Sequence, residues 1–276
     1  MNTGKTMEQI EILSRSTTFR PVGPVLTLWR AITAEWLKMK RTLALWLTLL
    51  APGMIAGLQF LMVIDRDGAM LADIRDPWIF ITRQNLTFWT LLMAPLFVTL
   101  ETALVAQLDH SSDHWKHLFA LPLPRWSIYV AKLIINMLLI LLSMFFLFIY
   151  SILTGFLVRM LLPNIAFGLP IPLVAMLKLT LLGFLSSWLI ISIHHWVSMN
   201  WRSFVVASAL GIFMTVVGIF VINHEYGAYY PWTLSAVMIN NIDRGLPYLA
   251  SLLVGCLGGL AMGLIGMGLF IRKEVL

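Results

Sequence analysis

The sequence predicts an all-α polytopic membrane protein with six transmembrane helices. Of its 276 residues, 59% are hydrophobic and only 12% are charged, which is about half the charged fraction of a typical soluble domain. The apolar residues also gather in six runs that approach or exceed the ~20 residues needed to cross a bilayer core. These runs lie at residues 43–64, 86–106, 128–157, 172–197, 204–222 and 247–271.

Basic residues near the ends of these runs predict the orientation. An even number of spans places both termini on one side, and cytoplasmic loops carry an excess of Lys and Arg. With the N-terminus inside, nine basic residues flank the cytoplasmic ends and five flank the outer ends. We therefore expect an N-in, C-in arrangement. The cytoplasmic set is Lys38, Lys40, Arg41, Lys116, Arg125, Lys132, Arg202, Arg272 and Lys273, and the outer set is Arg66, Arg75, Arg83, Arg159 and Arg244.

The segment before the first span divides into two parts. Residues 1–24 are polar and lack the apolar core of a secretory signal peptide, so we expect a flexible cytoplasmic tail. Residues 25–41 place apolar side chains, including Trp29 and Trp36, at helical spacing and end in Lys and Arg. This pattern predicts an amphipathic helix in the inner membrane interface, although a plain extension of the first span is the alternative. Residues 42–276 would form the transmembrane domain.

The connection between spans two and three, SDHWKHLFALPLPRWSIYVAK, is unusually polar for this chain. Its pattern predicts a short amphipathic helix on the cytoplasmic face. Pro122 ends that helix, and Pro124 and Arg125 follow as a structural hinge that turns the chain stiffly into span three. A helix held this way can be pressed from the cytoplasm and pass the displacement to both spans. The residues on its two sides are Asp109, Asp113, Lys116 and His117 on one, and Trp115, Leu118 and Phe119 on the other.

Three histidines in this region raise the possibility of a metal site. His110, His114 and His117 follow one another at i, i+4 and i+7, which places them on one helix face. Two or three imidazoles in that arrangement can hold Zn²⁺. A solvated helix face explains the same pattern and is the interpretation we favour, so no metal ligand is assigned.

Two charged residues fall inside apolar runs, where charge indicates a functional site by default. Glu101 lies near the inner end of span two, and we expect it to face the bundle interior or the inner surface and to pair with a cytoplasmic Lys or Arg. Lys178 lies about two turns into span four, where it either snorkels outward past Pro172 or belongs to a transport pathway. Both are candidate pathway or ion-pair residues.

The last part of the chain predicts close helix packing and a re-entrant segment. Gly255, Gly259 and Gly263 recur every four residues in span six, which places them on one helix face and lets another helix approach. Before that span, PWTLSAVMI is too apolar for a solvated loop and predicts a short helix dipping into the outer leaflet.

Motifs of nucleotide-binding and hydrolytic sites are absent from the sequence. There is no GxxxxGK[ST], GxGxxG, HExxH or GxSxG pattern, so the chain does not bind ATP by a Walker A loop or a Rossmann turn. The net charge of +6 reflects membrane orientation, and we expect no nucleic-acid partner.

The connection and its flanks resemble the corresponding segment of ABC-2 type permeases, the membrane subunits of one class of ATP-binding-cassette exporter. AEWLKMKRT, YYPWTLS and FIRKEV elsewhere in the chain are also similar to segments of that family, especially of the group that exports, or confers immunity to, lantibiotics and related peptide antibiotics. The matched residues are Glu101, Trp115, Lys116, Leu118, Leu121, Pro122, Arg125, Tyr129 and Lys132.

This resemblance implies a function and a set of partners. It implies a permease subunit in the bacterial inner membrane that dimerises with a second copy or a paralogous permease and binds a cytoplasmic ATPase dimer. The helix at 109–121 would be the coupling helix seated in the ATPase. ATP and Mg would bind only to the ATPase, and the permease itself would need no cofactor. The exported substrate would be a peptide antibiotic or another amphipathic compound.

Two other functions remain open from the residues themselves. One is an intramembrane metal-dependent enzyme that uses the histidine group together with Glu101. The other is a non-transporting membrane anchor or sensor for an ATPase.

Overall fold

The computed structural model describes residues 23–40, 42–110, 124–168, 170–201 and 203–272. Within these ranges the chain is helical and contains no strand. Its α helices are α1 (Pro24–Met39), α2 (Leu43–Asp65), α3 (Pro77–Phe88), α4 (Ala94–His110), α5 (Arg125–Leu161), α6 (Leu173–Ser186), α7 (Trp188–Asn200), α8 (Phe204–Val221), α9 (Leu234–Asp243) and α10 (Leu249–Arg272).

The prediction of a helical, multi-pass membrane protein is confirmed. Five helical segments of the described chain are long and apolar enough to cross a membrane, and α6 with α7 supplies a sixth when the two are counted as one span bent by 41°. The five are Leu43–Asp65, Pro77–Leu108, Arg125–Leu161, Phe204–Val221 and Leu249–Arg272.

The second span begins at Pro77, nine residues earlier than the sequence predicted. Asp76 caps it by accepting a hydrogen bond from the backbone N–H of Ile79, which is the usual role of Asp at a helix start. The span then runs through α3, a π-helical turn at Trp89–Met93 and α4. Arg83, Gln84 and Asn85 break the apolar run in the sequence. Asn85 is nevertheless buried and donates to Ser151 Oγ at 2.9 Å.

The helix α1 packs along α5 with a face that is not its most apolar one. Its buried residues recur every four positions and include Glu35 and Met39. Trp29 and Trp36 lie on other faces and are 66% and 37% exposed. A helix therefore lies where the amphipathic helix was predicted, and its tryptophans face outward. Its location in the membrane interface stays a prediction.

Two ends of the bundle are distinguished below. The lower end is where α1, the C-terminus of α4, the N-terminus of α5 and the C-termini of α7 and α10 meet. The upper end contains the connections at 66–76, 162–172 and 222–248. There, Arg83 of α3 forms an ion pair with Asp243 at the end of α9.

The predicted re-entrant segment contains the helix α9, which lies inside the protein. Residues Leu234–Ile239 of α9 are buried, and Met238 and Ile239 belong to the main apolar core together with Trp89, Ile140 and Ile191. Irregular backbone flanking such a helix is tolerated at membrane depth only when protein or water covers it. Burial in the core meets that requirement.

The fourth span is broken at Ser187, and α10 packs against the break. A Cβ atom added at Gly255 would lie 2.4 Å from the carbonyl oxygen of Ser186, and one at Gly259 would lie 2.6 Å from the backbone of Trp188. The predicted glycine face of span six is thus a contact face. The contact at Gly263 is less close, because a Cβ added there would lie 3.2 Å from the side chain of Leu133.

Hydroxyl groups bridge the same break to α9. Ser235 Oγ lies 3.0 Å from Ser186 Oγ and 2.9 Å from Ser187 Oγ, and it donates to the carbonyl oxygen of Gly183 at 3.2 Å. The upper helix α9 is therefore hydrogen-bonded to the point at which the fourth span bends.

Candidate functional site

A buried ion pair joins α1 to α5 at the lower end. Lys132 Nζ donates to Glu35 Oε2 at 2.6 Å, and the side chains are 0% and 4% exposed. Lys38, one turn after Glu35 on α1, donates to the other carboxylate oxygen at 2.7 Å. Glu35 thus accepts from two ammonium groups, which provides the additional hydrogen bonding that a buried charge needs.

A second polar contact lies one helical turn above Lys132. Asn136 Nδ2 is 3.0 Å from His195 Nδ1, which links α5 to α7. The neighbouring His194 places Nε2 3.2 Å from Thr99 Oγ1 of α4. Further down the same two helices, Ser198 Oγ donates to Thr102 Oγ1 at 3.3 Å. Side-chain hydrogen bonds of this kind hold α4, α5 and α7 together.

Aromatic contacts extend this group of residues to α10. The ring centroid of Tyr129 lies 4.6 Å from that of His195 and 5.6 Å from that of Phe270. A Cβ at Gly266 would approach the Tyr129 hydroxyl to 2.1 Å, so only glycine admits the ring there. One turn before Tyr129, Arg125 Nη1 donates to the carbonyl oxygen of Ile271 at 3.3 Å.

We refer to these side chains as the lower polar cluster: Glu35, Thr99, Glu101, Thr102, Tyr129, Lys132, Asn136, His194, His195 and Ser198. All are buried. The cluster draws on α1, α4, α5 and α7, and it contacts α10 through Tyr129. The helices α4 and α5 lie directly before and after the connection at 111–123. The cluster therefore unites both helices flanking that connection with two further elements of the bundle.

Glu101 is the member of the cluster whose buried carboxylate has no hydrogen-bond partner among the described residues. It shares a face of α4 with Val98 and Val105, and Val105 packs with Ile135 and Leu139 of α5. Its side chain is completely buried, yet neither carboxylate oxygen has a hydrogen-bond partner among the described residues. The interior position expected from the sequence is thus observed, whereas no Lys or Arg among the described residues pairs with Glu101.

Glu101→Leu is expected to leave the free energy of unfolding unchanged or to raise it. Burying a polar group without a partner carries a cost that an apolar side chain of similar size removes. Thermal unfolding in detergent measures the effect, and Glu101→Gln serves as the polar control. A loss of about 3 kcal/mol or more in Glu101→Leu would instead indicate a charged partner for Glu101, as expected for a broken buried pair.

Other buried polar atoms of the cluster also lack a partner among the described residues. They are Asn136 Oδ1, His194 Nδ1, His195 Nε2 and the Tyr129 hydroxyl. Such atoms are usually satisfied by protein or ordered water. Together with Glu101 they leave the cluster with several buried polar groups that have room for a further hydrogen bond. The lower polar cluster is therefore the best candidate for a functional site in the described part of the chain.

The predicted coupling and hinge residues are only partly described. Pro124 is the N-cap of α5 and Arg125 is its first residue, so span three begins directly after the predicted hinge. Asp109 lies in the last turn of α4. Asp113, Trp115, Lys116, His117, Leu118, Phe119 and Pro122 lie outside the described residues, and their roles stay predictions.

The predicted metal and pathway residues are not brought together. Within the described ranges no group of three or more His, Cys, Asp or Glu side chains is arranged to hold a metal ion, and His114 and His117 lie outside those ranges. Lys178 is exposed on the surface of α6, in the second turn of that helix. Its position fits a side chain that snorkels.

The partners Glu35 and Lys132 were not predicted from the sequence. Glu35 lies on an amphipathic helix outside the six apolar runs, where an acidic residue suggests solvent exposure. Lys132 was counted among the basic residues that flank the spans. The available signal was helical spacing, since Thr27, Ala31, Glu35 and Met39 form the buried stripe of α1. His194 and His195, near the end of the predicted fourth span, are also buried in the cluster.

Comparison with known proteins gives one match. The family model described as "ABC-2 family transporter protein" matches residues 31–218, which is more than half of the chain. The matched region begins in α1 and ends in α8, and it contains every residue of the lower polar cluster. No curated protein and no solved structure gives a significant match.

Proposed function

Because the chain belongs to the ABC-2 family of transporter proteins, we propose that it is the permease subunit of an ATP-driven exporter. The family consists of membrane subunits of transporters, and ATP hydrolysis would be carried out by separate cytoplasmic ABC ATPase subunits that hold ATP and Mg²⁺. The observation that most supports this role is the position of the lower polar cluster. It joins the helices on both sides of the predicted coupling segment.

The proposed mechanism starts at residues 109–121. A displacement of this segment by the ATPase acts on the C-terminus of α4 and, through the hinge at Pro122, Pro124 and Arg125, on the N-terminus of α5. Helix α5 has 37 residues, so a tilt at its lower end is carried the full height of the bundle. The Glu35–Lys132 ion pair would carry the same movement to α1.

The contact between α5 and α7 gives the movement a second route. His195 is bonded to Asn136 of α5, and its neighbour His194 is bonded to Thr99 of α4. Any relative displacement of α4 and α5 must therefore move α7 or exchange these hydrogen bonds. The polar atoms of Glu101, Asn136 and His195 that have no hydrogen-bond partner among the described residues would serve as alternative partners when these hydrogen bonds are exchanged.

The substrate and the second half of the transporter follow from the sequence resemblance. We propose outward transport of an amphipathic compound, with peptide antibiotics of the lantibiotic type as the leading class, and a role in resistance to them. The working unit would pair this chain with a second copy or a paralogous permease. Both termini would lie in the cytoplasm and the spans in the bacterial inner membrane.

The double variant Trp115→Ala/Lys116→Ala is expected to abolish substrate-stimulated ATP hydrolysis and export while membrane insertion stays normal. The two residues would belong to the helix that docks on the ATPase, Lys116 on its polar side and Trp115 on its apolar side, and neither lies in a predicted span. The measurement is ATPase activity and transport in proteoliposomes that contain permease and ATPase together. Arg75→Ala, which changes an exposed basic residue in the connection at 66–76, is the control. Normal export by the double variant with the ATPase still bound would contradict the proposal.

A further inference from the structure

An apolar groove runs along the outside of the bundle between α1 and α5. Its volume is about 700 Å³. Trp29 and Trp36 of α1 form one wall, and Ile135, Leu138 and Phe145 of α5 lie along the other. Both tryptophans are partly exposed, as are Leu138 and Phe145, so the groove is open to whatever surrounds the protein.

The lining of this groove is almost entirely apolar. Its polar side-chain groups are the Thr33 hydroxyl, which already donates to the carbonyl oxygen of Trp29 at 2.9 Å, and the indole N–H groups of Trp29 and Trp36. A polar or peptide-like ligand would leave most of its own polar groups unpaired there, at a substantial cost. The chemistry of the groove therefore selects hydrocarbon.

The dimensions of the groove fit one leaflet of a membrane. From Ile135 to Phe145 the α5 helix rises about 15 Å, at 1.5 Å per residue. That is half of the ~30 Å hydrocarbon core of a bilayer. An acyl chain that enters from the interface beside α1 would thus extend along α5 as far as the bilayer midplane.

The groove is held open by contacts on the neighbouring face of α1. Glu35 is fixed to Lys132, and Met39 is fully buried with Val105, Ile135 and Leu139. These anchors belong to the stripe of α1 that faces α5, whereas Trp29, Thr33 and Trp36 lie on a different face. Helix α1 therefore cannot roll inward to close the groove without breaking a buried ion pair.

Basic residues of α1 beside the groove indicate the kind of lipid headgroup that would bind there. Within α1 the basic residues are Arg30 and Lys38 and the only acidic residue is Glu35, whose carboxylate is taken up by Lys38 and Lys132. Arg30 is exposed and adjoins Trp29, and Lys40 follows the helix and is also exposed. Basic side chains beside a membrane attract anionic lipid.

We propose that this groove is a binding site for one anionic phospholipid, with an acyl chain against α5 and the phosphate beside Arg30. The inference requires only that the protein spans a bilayer, and it does not depend on the exporter function. A bound lipid would fill the space that α1 and α5 leave between them and would hold α1 at the height of the membrane interface.

The test uses the full-length protein, freed of endogenous lipid in detergent and titrated with phosphatidylglycerol or with phosphatidylcholine carrying the same acyl chains. Native mass spectrometry counts the lipid retained by each chain. The wild-type protein is expected to retain one phosphatidylglycerol. Leu138→Trp, which fills the groove, is expected to lower its affinity at least tenfold. Leu253→Trp, a leucine of α10 that is 46% exposed against 41% for Leu138, is the matched control and is expected to bind as the wild type does.

Two further variants separate the headgroup from the acyl chain. Arg30→Gln is expected to reduce the preference for phosphatidylglycerol over phosphatidylcholine about fivefold, which is the effect of one basic residue near a membrane surface. Trp36→Ala removes one wall without adding bulk and should weaken both lipids, which covers the case in which Leu138→Trp fails to fold.

Three outcomes would overturn the proposal. One is equal retention of phosphatidylglycerol by Leu138→Trp and the wild type. Another is equal affinity of the wild type for the two lipids. The third is efficient disulfide cross-linking between two chains through Leu138→Cys, which would show that a second copy of the protein occupies the groove.

Discussion

Glu35→Leu is expected to lower the free energy of unfolding by about 3–5 kcal/mol, the usual effect of removing one partner of a buried ion pair. The substitution takes away the carboxylate that lies 2.6 Å from the ammonium group of Lys132, while Lys132 remains completely buried. It also removes the ion pair that joins α1 to α5. Thermal or denaturant unfolding of the purified protein in detergent measures the loss.

The double variant Glu35→Leu/Lys132→Met identifies the cause of that loss. With neither charge present, the apolar side chains can pack against each other, and most of the stability should return. If the double variant is as unstable as Glu35→Leu, lost packing rather than the lost ion pair is responsible. Lys178→Met provides the control for losing a lysine from an exposed position, where changes normally stay within about 0.5 kcal/mol.

Gly255→Ala and Gly259→Ala are each expected to destabilise the protein by about 2–3 kcal/mol or more, at the upper end of the range for overpacking. The atoms that a new methyl group would meet belong to the backbone of Ser186 and to Trp188, at 2.4 and 2.6 Å. Backbone atoms cannot rotate away as a side chain can. The helix α10 would have to withdraw from the break in the fourth span.

Gly268→Ala is the matched control for these two variants. Gly268 lies on the same helix, and an added Cβ meets nothing within 4 Å. Alanine has the higher helix propensity, so this substitution should be neutral or slightly stabilising. A similar loss for all three variants would indicate that α10 tolerates no alanine for reasons other than the close approach to α6 and α7.

The parts of the fold that sequence analysis predicted are those determined by helix periodicity and composition. Long apolar runs placed the helices of most spans, and four-residue spacing identified the glycine face of α10 before its partner was known. The apolar segment PWTLSAVMI was correctly separated from the solvated loops, and its helix Leu234–Asp243 packs into the core.

What the sequence did not reveal depends on contacts between residues far apart in the chain. Arg83 and Asn85 read as polar loop residues until Asp243 and Ser151 are brought next to them. Glu35 reads as a solvated acid until Lys132, 97 positions later, lies beside it. The histidines at 110–117 attracted attention as metal ligands, whereas His194 and His195 are the ones that lie in the buried polar cluster.

The bend at Ser187 divides the fourth span into two segments with different attachments. The upper segment α6 shares hydroxyl contacts with α9, and the lower segment α7 belongs to the polar cluster beside α4 and α5. A straight helix in this place would tilt as one rigid unit, so its two ends would have to move together. A bent span allows its lower segment to move while its upper segment stays in place. Alternating exposure of a substrate to the two sides of a membrane requires such independent movement.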